Sequence, residues 1–147
     1  MTSNTKKDLI NILYHYGIRN LPIGGISVAT MVHEYGHLIC SKILGFNGYI
    51  KSGKLTSVYY EIRPNDSQWT LFYLSGGLLQ FIIFMLMSLR ASDKNVKIAN
   101  RMTAIIGLIE GLVEPMRYFR LTGLGATIGI IASFLYLTYQ IVKETRK

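Results

Sequence analysis

Cysteine occurs once in the 147 residues, at Cys40, so no intrachain disulfide can form and the redox compartment is not legible from cysteine usage. Charge is also scarce: 16% of the residues are charged, and 8 acidic side chains stand against 16 Lys and Arg for a net charge of +8. The basic residues sit at the ends of apolar runs instead of lining one amphipathic face. That pattern excludes a nucleic-acid surface and reads as lipid-headgroup contacts and orientation signals. No strand leads into a glycine-rich phosphate-binding turn; Gly24-Gly25 and Gly76-Gly77 lie within apolar runs, where glycine permits close helix packing, and a nucleotide site is excluded. The first 20 residues lack the unbroken hydrophobic centre and small-residue cleavage site of a signal peptide. Internal repeats, low-complexity tracts and domain linkers are absent.

What is present is apolar. Half of the residues are hydrophobic and the mean hydropathy is positive, which places the chain among polytopic membrane proteins. The length is one domain's worth, read as an amphipathic N-terminal segment over residues 1–20 and a membrane-embedded domain over 21–147. In the first segment Leu9, Ile12, Leu13 and Tyr16 follow one helical face, which predicts an interfacial helix; Tyr14, His15 and Tyr16 read as part of an aromatic belt.

Four apolar segments follow: A (residues 21–44), B (69–89), C (96–119) and D (121–142). B and D carry no charge, whereas A contains "VHEYGHLIC" and C contains Arg101, Glu110 and Glu114. About 20 helical residues cover the roughly 30 Å hydrocarbon core, so the expected fold is mainly α, with about four transmembrane helices. Ionisable groups inside a bilayer turn to protein or a water-filled cavity, so A and C are expected to face each other and form the site. Between A and B, residues 49–51 and 55–62 are rich in β-branched and aromatic side chains. With Ser52-Gly53 as a turn, they predict a small β-hairpin at the membrane surface, ended by Pro64 and Asn65. A short basic loop over 90–97 joins B and C. With four spans, ten basic residues fall on the side of the termini (Lys6, Lys7, Arg19, Arg90, Lys94, Lys97, Arg101, Lys143, Arg146, Lys147) and six on the other (Lys42, Lys51, Lys54, Arg63, Arg117, Arg120), favouring cytoplasmic termini.

His33, Glu34 and His37 form H-E-x-x-H. At 3.6 residues per turn the two histidines lie one above the other and can reach one metal ion, while Glu34, rotated by about 100°, is placed to take a proton without being a ligand. Zinc at such a site lowers the pKa of its water to about 7 and polarises a scissile carbonyl, which is what peptide hydrolysis at neutral pH needs. Without a metal, the same histidines would have to be satisfied by hydroxyl or backbone groups of adjoining helices. An unpaired buried Glu between two histidines is costly in an apolar segment, and this favours the metal.

A third ligand is required. Cys40, seven residues after His33, lies about 10.5 Å further along the axis, too far for one tetrahedral centre, and reads as a packing residue. Asp66, Asp93 and Glu61 sit in polar loops. Glu110 and Glu114 in "GLIEGLVEPMRYF" remain. His37 is about 12 Å from the end of segment A, and both glutamates lie in the matching part of segment C, on one face because they are four apart. Pro115 bends the helix there. The glutamate that is not a ligand has Arg117 or Arg101 as its expected partner.

At these residues the chain resembles the site-2 protease family of intramembrane zinc metalloproteases, in particular its small, minimal branch. "HEYGHLICSKILGF" is similar to the family's H-E-x-G-H helix, the polar hairpin to its membrane-associated strands, and "LSGGLLQ" at 74–80 to the small-residue motif of its next core helix. The likeness covers roughly residues 21–123, with H-E-x-G-H its specific part. The family's aspartate in an L-D-G triplet has no counterpart here; "IEG" at 109–111 would substitute Glu110, while "EPMRYFRLTG" puts Glu114 where the small branch has an acidic residue before L-T-G. The resemblance thus implies zinc held by His33, His37 and Glu114, with Glu110 as the alternative third ligand, and Glu34 as general base and acid. It also implies a site open to the cytosol on the hairpin side, opposite to the charge count.

The expected function is a zinc-dependent intramembrane endopeptidase, a multi-pass protein of the cell membrane that cleaves transmembrane or juxtamembrane peptide substrates, with no nucleic-acid partner. Its substrate could add as a strand to the hairpin edge. The alternative is a non-catalytic membrane protein that keeps this fold as a binding or scaffolding module, motivated by the missing L-D-G triplet and the small size.

Overall fold

A computed structural model describes residues 3–22, 26–46, 48–51, 57–60, 65–119 and 124–145. Five α-helices carry the fold: α1 (Ser3–Asn20), α2 (Val28–Ile43), α3 (Asp66–Arg90), α4 (Lys94–Val113) and α5 (Leu124–Thr145). Strands β1 (Gly48–Lys51) and β2 (Ser57–Tyr60) pair antiparallel between α2 and α3, in the register Gly48↔Tyr60 to Lys51↔Ser57. The expected turn at Ser52-Gly53 and the stop at Pro64 lie outside the described residues.

Helix boundaries follow local chemistry. Ser27 caps α2, its Oγ accepting from the Thr30 N–H at 3.0 Å, so segment A is helical from Val28 and not from residue 21. Asn65 and Gln68 form a reciprocal capping box that starts α3, and Gln68 also donates to the Leu44 carbonyl, tying α3 to the end of α2. Asp93 caps α4, so the connection expected over 90–97 shortens to residues 91–93. Pro115 has no N–H to continue α4, and the chain passes into a 3-10 turn, Glu114–Phe119, in place of the expected bend within one long helix.

The bundle is organised by α3, which packs along both α2 and α4. The two polar helices, expected to face each other, meet only sparsely. Glycine explains the arrangement. A methyl group on Gly36 of α2 would stand 2.8 Å from the Gly76 Cα, and one on Gly77 would overlap the backbones of Gly107 and Gly111 on α4, so α3 approaches both neighbours at backbone distance. Helix α5 also packs on α4, where Gly125 comes close to Glu110 and Gly129 to Ile106.

Helix α1 is not a detached interfacial helix. It lies along α4 with Ile12 fully packed against Ile98, Met102 and Leu137, and Leu9 and Tyr16 at the edge of the cluster; Leu13 stays exposed. Three polar links tie it down: Asn95 to Asp8 at 3.2 Å, Arg19 to Asn100 at 2.6 Å, and Asn20 to Thr103 at 2.8 Å. The numbers in these pairs rise together along both helices, so α1 runs parallel to α4.

Among the described residues two helices are long and apolar enough to cross a membrane, Asp66–Arg90 and Leu124–Lys143. The 16 residues of α2 rise only about 24 Å, and α4 carries Lys94, Lys97, Arg101 and Glu110. Apolar side chains such as Leu78, Ile82, Leu86, Ile131 and Leu135 point outward, whereas Gln80, Ser88, Asn100, Thr103 and Ser133 are fully buried.

Candidate metal centre

His33 and His37 project from one face of α2 toward α3, where Gly76 offers no side chain. A methyl group there would fall on the His37 ring and 2.8 Å from Cδ2 of His33. The His37 ring stacks on Phe72, with centroids 4.7 Å apart and 26° between planes, and its Nδ1–H donates to the Phe72 carbonyl at 2.6 Å. That bond fixes the tautomer and leaves Nε2 of His37 with a free lone pair. The Nε2 atoms of His33 and His37 are 3.0 Å apart. Oε2 of Glu114, at the start of the 3-10 turn, lies 3.1 Å from the first and 3.3 Å from the second. His33, His37 and Glu34 are all buried.

These three atoms test whether a cation fits. With both rings neutral, a carboxylate oxygen and the lone pair of His37 both accept, so only one proton, on His33, lies within a triangle of three close donor atoms. A dication satisfies all three at once. Tetrahedral zinc with bonds of about 2.0–2.1 Å separates its ligand atoms by about 3.3 Å, close to the observed sides. His33, His37 and Glu114 are the residues that can hold it.

No family model, curated protein or solved structure matches the chain.

Of the two glutamates left open by the sequence, the structure brings Glu114 to both imidazoles. Glu110 stands on the other edge of His33, with Oε2 3.6 Å from Nδ1 and no ligating approach to His37. Arg101, expected as a partner for one glutamate, donates instead to Ser88 and Tyr136 at 3.1 and 3.3 Å; the Arg117 side chain is outside the described residues. Cys40 lines an apolar groove between α2 and α3 with Ile39, Ile43, Leu71 and Leu78 and takes no part in the cluster. Asp66 opens α3 and Asp93 caps α4, while Glu61 is outside the described residues. His15 packs edge-on against Tyr14 and is not one of the clustered donors.

Sequence reasoning missed Phe72 and Gly76. The first acts through a backbone carbonyl, which any residue has. The second was visible in "LSGGLLQ" as a close-packing glycine, but its partner, a pair of imidazole rings, was not. A half-open cavity of about 190 Å³ is lined by His33 together with the polar Asn20, Gln80 and Glu110 and the apolar Ala29, Ile106 and Ile130.

Proposed function

We propose that the protein is a zinc-dependent endopeptidase that works inside a membrane, on transmembrane or juxtamembrane peptides. The observation that carries this reading is the donor triangle of His33, His37 and Glu114, with the buried carboxylate of Glu34 one position along α2. H-E-x-x-H supplies two ligands and a base at the spacing that water-activating zinc sites require, and the resemblance to the site-2 protease family rests on the same residues.

The membrane part of the proposal is supported by the apolar α3 and α5 and by the many large apolar side chains exposed on the outer faces while polar ones such as Gln80, Asn100 and Thr103 are buried. Helices α1 and α2 together run the length of α4, and with it complete four passes.

Bound zinc supplies a Lewis acid for the carbonyl and a low pKa for water. The chain's own residues do the rest. His33, His37 and Glu114 hold the ion, and the Phe72 carbonyl keeps His37 in the ligating tautomer. Glu34 takes a proton from the attacking water and returns it to the departing amine nitrogen. A two-stranded sheet leaves one edge of each strand without a ladder partner, and an unfolded substrate segment can add there as a third strand.

The test is purification from membranes followed by metal analysis and a cleavage assay on membrane-reconstituted substrates. One zinc per chain, with cleavage lost in Glu34→Gln while zinc is retained, is the expected result. Full cleavage by Glu34→Gln would overturn the proposal; stoichiometric zinc without Glu34-dependent turnover of any peptide would leave the non-catalytic binding module instead.

A further inference from the structure

A neutral imidazole has one proton and one lone pair on its two nitrogens, so a histidine that ligates through Nε2 must carry its proton on Nδ1. For His37 the acceptor of that proton is in place, the Phe72 carbonyl at 2.6 Å. For His33 it is not. Its Nδ1 is buried and has no hydrogen-bond partner among the described residues. An N–H left unpaired there would count against the ligating tautomer, because a buried donor without an acceptor costs its full desolvation. Water cannot repair this, since Nδ1 presents less than 1 Å² to solvent.

One acceptor is within reach. Oε2 of Glu110 stands 3.6 Å from Nδ1, on the ring edge that Glu114 does not touch. The distance exceeds a charge-assisted hydrogen bond by about 0.8 Å, which a turn of the terminal glutamate torsion covers, its profile being broad. The residue itself is well held. The Glu114 N–H donates to the Glu110 carbonyl, so a single helical turn sets one carboxylate at Nε2 and the other at Nδ1 of the same ring. Helix α5 backs Glu110 as well: a methyl group on Gly125 would stand 3.2 Å from its Cα.

We infer that Glu110 is a positioning residue of the metal centre, whose carboxylate takes the Nδ1–H of His33 and holds that ring in the tautomer and orientation that ligate. The two histidines are thus oriented by unlike acceptors, His37 by a carbonyl and His33 by an anion. An anionic acceptor makes the far nitrogen of the ring more basic and a better donor to a cation. The inference rests on the zinc reading proposed above, but neither on the membrane location nor on peptide cleavage.

Nuclear magnetic resonance tests it on the full-length chain in detergent micelles, with isotopically labelled histidine and one equivalent of zinc. Only His15, His33 and His37 contribute, and proton–nitrogen correlations across each ring report which nitrogen binds metal and which bears hydrogen. In the wild type His33 should be bound at Nε2, with an Nδ1–H resonance that its carboxylate acceptor displaces downfield and protects from exchange with water. Glu110→Gln keeps the shape and removes the charge: the resonance should move upfield and zinc affinity fall about 10–100-fold. The Nδ1–H of His37 should stay in place, which shows that the fold is intact. Should that variant not fold, the wild-type spectrum decides alone. An Nδ1–H of His33 that is neither displaced nor protected, or zinc bound through Nδ1, overturns the inference and leaves the zinc site standing. So does a Glu110→Gln chain with the spectrum and affinity of the wild type. A chain that takes up no zinc removes the inference together with the proposed function. The expected signature in a chain that cleaves nothing upholds the inference and retires only the protease.

Discussion

Oε2 of Glu114 is 3.1 Å from Nε2 of His33 and 3.3 Å from Nε2 of His37, while the nearby Glu110 approaches His33 only from its other ring edge, at 3.6 Å. The two glutamates therefore differ in kind. Glu114→Gln removes a charged donor and should reduce bound zinc below about a tenth of an equivalent after dialysis. Glu110→Gln alters the surroundings of a ligand, and such changes cost about 10–100-fold in affinity. Metal analysis and competition with a calibrated chelator separate the two; equal losses would remove the distinction.

Gly76 is the seat of both imidazoles. In Gly76→Ala the added methyl must displace the rings, so zinc affinity should fall with a destabilisation of about 1–3 kcal/mol from overpacking. Gly17→Ala, in α1, meets only Leu21 Cδ1 at an ordinary 3.5 Å; it should be neutral or stabilising by up to about 1 kcal/mol and leave zinc binding unchanged. Thermal unfolding in detergent and zinc titration check both.

Ile12 anchors α1 in a cluster with Ile98, Met102 and Leu137, whereas Ile10, on the same helix, is 57% exposed. Ile12→Ala should cost about 2–5 kcal/mol and Ile10→Ala within about 0.5 kcal/mol. Similar small losses from both would mean that α1 lies free of the bundle.

Chelation should abolish cleavage without unfolding the chain. The helices are held by glycine-mediated crossings, among them Gly77 against Gly107 and Gly111, and by two apolar clusters; the clusters include none of the three donors. Circular dichroism should be unchanged after zinc removal. Readdition of zinc at 100 times its Kd should raise stability by about 2.7 kcal/mol.

The site was legible where it depends on spacing within one element. His33, Glu34 and His37 need only the pitch of a helix, and depth along the bundle narrowed the third donor to Glu110 or Glu114. Choosing between them from the residues alone required the 3-10 turn that Pro115 imposes, because in a continuous helix both acids share a face. The tautomer of His37 depends on a main-chain carbonyl and has no signature in residue type. Helix α1 shows why amphipathic spacing is incomplete: Leu9, Ile12 and Tyr16 announce an apolar surface to be covered, and lipid and protein cover it equally well. The polar segments A and C were expected in direct contact because their charges need partners. It was the glycines of the apolar segment B that decided which backbones come close.

Gly76 and Gly77 are consecutive, so they look out from α3 in directions about 100° apart, one toward α2 and the other toward α4. Two axes seated about 8 Å from a third at that angle stand roughly 12 Å from each other. That is too wide for their backbones to touch, and it suits an imidazole reaching out from one side and a carboxylate from the other. A pair of hydrogen atoms in place of side chains thus works as a spacer, and any force that rotates α3 by a single residue would change the width of the slot in which those groups meet.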